Sequence, residues 1–286
     1  MPNSVVVTGV SSGIGQATAT LLVGLGWQVF GSVRRPQDAE RLQGSLGPAF
    51  TPLLFDVTDE SAVRSAARTV GAALGERTLD GLVNNAGIAV AGPLTHLPVA
   101  EFRRQLEVNL VGPMLVTQAF LPLLGTDPAK RGPKGRIVNL SSVGGRLAMP
   151  FLAPYCVSKF GIEAFSESLR RELMYYGIDV VIVAPGHVAT PIWDKAEEVD
   201  LAPYESLPIV GPMKKFRDYF ITEGRKGFPP ERIAAAIHTA LTAARPKARY
   251  ALVPARFANW TLPRLMPART LDRLIAARLG LRSKRG

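Results

Sequence analysis

Short runs of consecutive apolar, mostly β-branched residues recur along this chain, at residues 5–8, 28–32, 50–55, 81–83, 136–140, 180–183 and 250–253. A strand that alternates apolar with polar residues covers one face of a core, whereas a strand apolar throughout must be buried on both faces. Between the runs lie stretches of helical length and spacing, at residues 14–24, 61–74, 99–123, 154–176 and 230–243. Strand–helix–strand repetition of this kind predicts a parallel sheet with right-handed crossovers and helices on both faces. The expected fold is therefore α/β, a doubly wound parallel sheet of Rossmann type, in one domain over residues 1–255 with a basic C-terminal extension over 256–286.

Two segments break the rhythm. Residues 125–135 read as an exposed basic loop, and residues 191–230 are rich in proline, aromatic and charged residues. Ligands of open α/β sheets bind beyond the carboxyl ends of the strands, so the second segment is expected to form a substrate lid over about residues 190–228. Trp193, Leu201, Tyr204, Leu207, Ile209, Met213, Phe216, Tyr219 and Phe220 give it the material for an apolar pocket.

With 286 residues, 47% hydrophobic and 20% charged, the chain can bury a large core without disulfides. Its lone cysteine, Cys156, reads as a buried packing residue, and His96, His187 and His238 lack metal-ligand spacing, so no metal is expected. The first strand begins within a few residues of Met1, which leaves no room for a cleavable signal, and no uncharged apolar stretch reaches membrane-spanning length. A cytoplasmic location is the expectation.

Residues 8–15, Thr-Gly-Val-Ser-Ser-Gly-Ile-Gly, follow the first strand and open the first helix. Gly9 permits a tight turn, Gly13 lets the backbone approach a pyrophosphate, and Gly15 lets the helix pack closely. Ser11, Ser12 and Ile14 complete a loop whose helix N-terminus offers N–H groups and a positive dipole end to phosphates. An NAD site expects an acid after the second strand to hold the ribose 2′-hydroxyl. Here Arg34 and Arg35 stand instead. Their planar donor forks suit a 2′-phosphate, so NADP(H) is the expected cofactor.

Tyr155 and Lys159 are one helical turn apart and share a face. A carbonyl that receives hydride becomes an alkoxide and needs a proton. A phenol with a pKa near 10 exchanges protons poorly at neutrality. A neighbouring ammonium stabilises the phenolate, and a lowering of about 2–3 units would let Tyr155 act as acid in reduction and base in oxidation.

Taken in order, residues 8–15, Asn84-Asn85-Ala86-Gly87, Asn109, Ser141-Ser142, Tyr155 with Lys159, and Pro185-Gly186 with Thr190 resemble the short-chain dehydrogenase/reductase family over nearly the whole chain. The resemblance implies an NADP(H)-dependent alcohol dehydrogenase or ketone reductase. By it, Ser142 polarises the carbonyl, with Ser141 the alternative, and Tyr155 is the acid/base. Lys159 also binds the nicotinamide ribose, and Asn109 holds a water of the proton relay. Asp56 and Val57 border the adenine, and Asn85, Ala86 and Gly87 line the cofactor floor. Pro185 and Gly186 lead to Val188 and Thr190 at the carboxamide. Arg34 stands where NADP-preferring members carry a base. The run 159–173 resembles the hydroxysteroid and retinol dehydrogenase branch, which implies a lipophilic steroid-, retinoid- or aryl-ketone-like substrate. It reads equally as a helix of a family-type dimer interface, and a homo-oligomer, dimer or tetramer, is implied. The rival readings on the same fold are a non-catalytic NADP-binding sensor and a membrane-surface protein.

The net charge is +11, and most of the excess follows Arg245, where Asp272 is the only acid. Leu271, Leu274, Ile275 and Leu279 recur there at helical spacing among Arg273, Arg278, Arg282, Lys284 and Arg285. Such a helix either docks its leucines on protein or lies on an anionic membrane as a peripheral contact. No nucleic-acid recognition motif is present, so nucleic acid is not an expected partner.

Overall fold

Seven strands form where the apolar runs predict them: β1 (Ser4–Val7), β2 (Gln28–Val33), β3 (Phe50–Leu54), β4 (Gly81–Asn84), β5 (Arg136–Leu140), β6 (Asp179–Pro185) and β7 (Arg249–Leu252). The computed structural model describes residues 2–198 and 200–281. The tail bases Arg282, Lys284 and Arg285 lie outside the described residues. All strands join one parallel sheet in the order β3-β2-β1-β4-β5-β6-β7, the doubly wound Rossmann-type arrangement in a single domain. Chain order reverses between β1 and β4, and the crevice at that switch point is where such sheets bind ligands.

The helices are α1 (Gly13–Gly24), α2 (Pro36–Leu46), α3 (Glu60–Leu74), α4 (Val99–Leu106), α5 (Gly112–Phe120), α6 (Ala153–Leu173), α7 (Ile192–Glu197), α8 (Val210–Arg225), α9 (Pro230–Thr242), α10 (Leu262–Leu265) and α11 (Ala268–Leu279). Successive strand residues point to opposite faces, so the sheet separates two cores. Val5, Val7, Val181 and Val183 pack with α1, α2 and α9 through Leu22, Leu42, Ile233 and Ile237. Val6, Leu82, Ile137 and Val180 pack with α3, α5 and α6 through Val63, Val116, Phe120 and Leu173.

Three features differ from the sequence expectation. The helical stretches expected from sequence leave out residues 36–46, yet α2 forms there, with Pro36 at its start and Gly47 (φ 72°) at its end, the usual placement of these residues. Residues 99–123 were expected as one helix, yet a π-helical segment, Glu107–Val111, separates α4 from α5. Such bulges are frequent at functional sites, and this one carries Asn109. The third concerns length. Counted together, Val99–Leu124 is long and apolar enough to cross a bilayer, where no stretch was expected to be; here it packs on α3, β4 and α6.

Candidate active site

The glycine loop closes over the carboxyl end of β1. Gly9 and Gly13 adopt φ values of 71° and 59°, in the left-handed region that favours glycine. Space is short as well: a Cβ on Gly9 would clash at 2.8 Å from Ala86 Cα, and one on Gly13 would stand a tight 3.2 Å from Thr190 Cγ2. Asn85 Nδ2 braces the turn by donating to the carbonyls of Thr8 at 2.8 Å and Gly9 at 3.1 Å. The Thr8 hydroxyl accepts from the N–H groups of Asn85 at 2.9 Å and Ala86 at 3.0 Å. Ser12 caps α1 without a side-chain hydrogen bond, which leaves first-turn N–H groups for an anion.

A cavity of about 750 Å³ runs from this loop to the lid. Gly9, Ser11, Ser12, Gly13, Ile14, Gly15, Arg34, Asp56, Val57, Asn85, Ala86, Gly87, Pro185, Gly186, Val188 and Thr190 all line it, as do Asn109, Ser142, Tyr155 and Lys159. This donor set and size fit a dinucleotide: an open helix N-terminus and glycine turn for the pyrophosphate, and a guanidinium at the far end of β2.

Arg35 is the exception, and its expected place at the cofactor is corrected. It does not line the cavity, and its Nε donates to Asp38 at 2.8 Å. The backbone there is extended, with φ −113° and ψ 134° at Arg35, so neighbouring side chains point opposite ways. Arg34 faces the cavity, its Nη1 3.6 Å from Asp56 Oδ2. Asp56 Oδ1 accepts from the Thr58 N–H at 3.0 Å. The sequence reading missed Arg41 on α2, whose Nη2 donates to the Ser11 carbonyl at 2.8 Å. Pro36 followed by Ala39, Leu42 and Leu46 at helical spacing was the signal that could have found it.

Ser142, Tyr155 and Lys159 meet on one wall. Ser142 caps the turn after β5, its Oγ accepting from the Gly144 N–H at 3.1 Å. Ser141 is buried with its hydroxyl unpartnered. Lys159 Nζ donates to the Leu140 carbonyl at 2.7 Å and stands 5.7 Å from the Tyr155 ring centroid. Burial pushes the Tyr155 phenol up to about 12, against the pull of the Ser142 hydroxyl and with a further rise from Cys156. The same desolvation pulls Lys159 down to about 8, opposed by the Glu163 carboxylate. The expected lowering of the phenol by the ammonium is therefore reversed here, because desolvation dominates both groups.

Asn109 is buried and its amide is committed: Oδ1 accepts from the Ile88 N–H at 2.9 Å, while Nδ2 donates to the Ile88 carbonyl at 3.0 Å and to Ser158 Oγ at 3.2 Å. Its side chain braces the π-helical segment against the β4 loop.

The lid divides its apolar residues between two jobs. Trp193, Leu201, Met213, Phe216, Tyr219 and Phe220 line the cavity, while Tyr204, Leu207 and Ile209 pack behind them. Phe216 and Phe220 stack with centroids 5.0 Å apart, and Trp193 and His187 meet Phe220 edge-on. Trp193 Nε1 donates to the Val188 carbonyl at 2.6 Å, joining lid to the β6 loop. Burial lowers the His187 pKa below its ordinary value.

The tail also divides. Leu279 is buried, and Ile275 packs with it on the lid's apolar cluster beside α8. Phe257, Leu262, Leu265 and Leu274 remain exposed, and Arg278 stacks on Tyr219 at 4.2 Å.

Residues 3–200 match the family described as short chain dehydrogenase. The NADPH-dependent 3-dehydrocapnine reductase of Ornithobacterium rhinotracheale is 39% identical over 270 residues, 94% of this chain and 94% of its own. Retinol dehydrogenase 5 of Mus musculus is 37% identical over 281 residues, covering 94% of this chain and 86% of its own. A solved short-chain dehydrogenase from Streptomyces avermitilis has a TM-score of 0.74 at 29% identity, covering 97% of this chain and 94% of that one.

Proposed function

The chain belongs to the short-chain dehydrogenase family and resembles its retinol and hydroxysteroid dehydrogenase branch, and from that premise we propose that it is an NADP(H)-dependent reductase of bulky lipophilic carbonyls. The observation that carries this reading is the meeting of Ser142, Tyr155 and Lys159 between a phosphate-ready glycine loop and an aromatic lid. In this reading Gly13, Ile14 and Ser12 hold the pyrophosphate, Arg34 the 2′-phosphate, Asp56 and Val57 the adenine, and Val188 and Thr190 the carboxamide. NADP(H), when bound, supplies or accepts the hydride.

The chain's own residues do the rest. Ser142 donates a hydrogen bond to the substrate oxygen, and Tyr155, neutral at physiological pH, gives its proton to the oxygen as negative charge develops. Lys159 holds the ribose and stabilises the phenolate left behind. The apolar lid wall orients a lipophilic body and excludes water. A non-catalytic NADP-binding sensor would have no use for this proton-donating set. The NADPH dependence of the 39%-identical reductase supports the cofactor choice.

Three further parts complete the reading. Met114, Val157 and Phe160 are exposed on α5 and α6, which supports a homo-oligomer joined through those helices. The exposed apolar residues of the 256–286 extension, set among Arg256, Arg264, Arg269 and Arg273, support peripheral contact with an anionic membrane. A single buried cysteine suits a reducing, cytoplasmic setting.

The test is a screen of ketones and aldehydes with both cofactors, followed by Tyr155→Phe. We expect NADPH-dependent turnover, highest for bulky apolar carbonyls. The Phe variant should lose about 10²–10⁴-fold in kcat, the share that general acid catalysis supplies, and keep its NADPH affinity. Turnover largely retained by the Phe variant would refute Tyr155 as the acid, and small polar carbonyls outperforming every bulky one would refute the substrate class.

A further inference from the structure

One helical turn beyond Lys159, α6 enters a partly buried ionic quartet, with Glu163 as its buried member, that the proposed chemistry does not use. Glu163 is 3% exposed. Arg146, just after the turn that Ser142 caps, donates from Nη2 to Glu163 Oε2 at 3.2 Å and to Glu167 Oε1 at 2.7 Å. Arg249, the first residue of β7, donates to the same Glu163 oxygen, and to Glu167 at 3.2 Å. The turn that presents Ser142, the helix that presents Tyr155 and Lys159, and the edge strand are thereby tied together. They are packed closely at Gly145, where a Cβ would stand 2.6 Å from Ser141 Oγ, 2.7 Å from the Lys159 carbonyl and 3.0 Å from Glu163 Cγ.

Stability alone is a poor account of this cluster. Buried ion pairs often contribute no more than apolar residues of the same volume. Glu163 Oε1 and Arg249 Nε have no partners, and an unpaired buried polar atom is destabilising. We propose that the quartet is a positioning element of the hydride-transfer site: it fixes the turn of Ser142 and the helix of Tyr155 and Lys159 against each other and against β7, with the Glu163 carboxylate one helical turn from Lys159 and the guanidinium groups of Arg146 and Arg249 set against it. This rests on the role given to Lys159 above.

Around Lys159 and Glu163 the charged and titratable groups are Tyr155 and Glu167 from α6, the latter also paired with Arg171 at 3.6 Å, Arg146 from the turn after β5 and Arg249 from β7. On the side of α4 and the π-helical segment, the neutral amides of Gln105 and Asn109 meet the hydroxyl of Ser158, the neighbour of Lys159 in the chain. Burial disfavours the Lys159 ammonium, and Glu163 opposes burial. Removing the Glu163 charge therefore lets the ammonium discharge at lower pH. Removing the Arg249 charge frees Glu163 to act on Lys159 and has the opposite sign.

The test compares the full-length wild type with Glu163→Gln, Glu163→Asp and Arg249→Gln. It measures NADPH-dependent kcat/KM and NADPH affinity from about pH 6 to about pH 10, across the range where Lys159 titrates. The alkaline limb should move down by about one unit in Glu163→Gln, recover most of that in Glu163→Asp, and move up in Arg249→Gln. Near the lower end of the range Glu163→Gln should approach wild-type activity. A merely structural quartet would lower activity equally at every pH and leave the limbs in place, and that result would overturn the proposal. If Glu163→Gln does not fold, the less buried Glu167→Gln takes its place, with a smaller downward shift expected and an unmoved limb decisive against. A wild type that neither binds NADPH nor turns over defeats the cofactor reading itself, and the proposal with it.

Discussion

Replacing Arg34 with Glu tests cofactor choice at a position where the structure sets the scale. The Arg34 side chain is 68% exposed and its Asp56 partner 36%, at 3.6 Å. A loose, exposed pair of this kind is worth about 0–1 kcal/mol, so the guanidinium is easily diverted to a 2′-phosphate. A hydrogen bond to a charged group contributes about 1.5–3 kcal/mol. Solvent exposure places Arg34 near the low end, roughly tenfold in affinity. Charge reversal sets a carboxylate beside Asp56 against the phosphate, and a repulsion of similar size brings the loss in NADPH kcat/KM to about 100-fold. NADH has no 2′-phosphate and should change by less than about threefold. The assay is steady-state kcat/KM with both cofactors, with Arg35→Glu as the control, since Arg35 pairs with Asp38. The losses should shrink at high salt. Equal losses for NADPH and NADH, a wild-type preference for NADH, or a larger effect from Arg35→Glu would refute the reasoning.

Reductive kcat/KM should be level through neutrality and fall as pH rises through about 8, because the Lys159 ammonium persists only below that value. The Tyr155 phenol, held near about 12, stays protonated throughout, so a rate that keeps rising across this range contradicts the assignment. Gly224→Ala should loosen the lid, since a Cβ there would overlap the Trp193 indole. Overpacking of this kind costs about 1–3 kcal/mol, and a higher KM for bulky carbonyls with a lower Tm is expected; both unchanged would show that Trp193 does not seat on α8. Wild type should float with anionic vesicles at low salt, and Phe257→Asp with Leu265→Asp, both at exposed positions, should abolish flotation. Equal flotation would remove the membrane role of the extension.

Much of this protein was legible in its residue order. A fully apolar strand has only one kind of home, the interior of a sheet covered on both faces, so the seven runs sufficed for the parallel sheet. The glycine loop was equally readable, because positive φ and contact with Ala86 and Thr190 leave few side chains to choose from. The period of α8 was also present, in Met213, Phe216, Phe220 and Gly224, but prolines, charges and aromatics around it masked it. What the tertiary structure decided was direction, partnership and dielectric. Arg34 and Arg35 are chemically equal neighbours, and only the extended backbone before α2 turns one toward the cavity and the other to Asp38. Tyr155 and Lys159 are one turn apart in any helix, yet burial by elements distant in sequence raises one pKa and lowers the other. Arg146, Glu163 and Arg249 are far apart along the chain, and no local pattern announces their meeting. It exists because β7 pairs with β6 and brings Arg249 against α6, and long-range pairing of that kind is decided by the packing of the whole sheet.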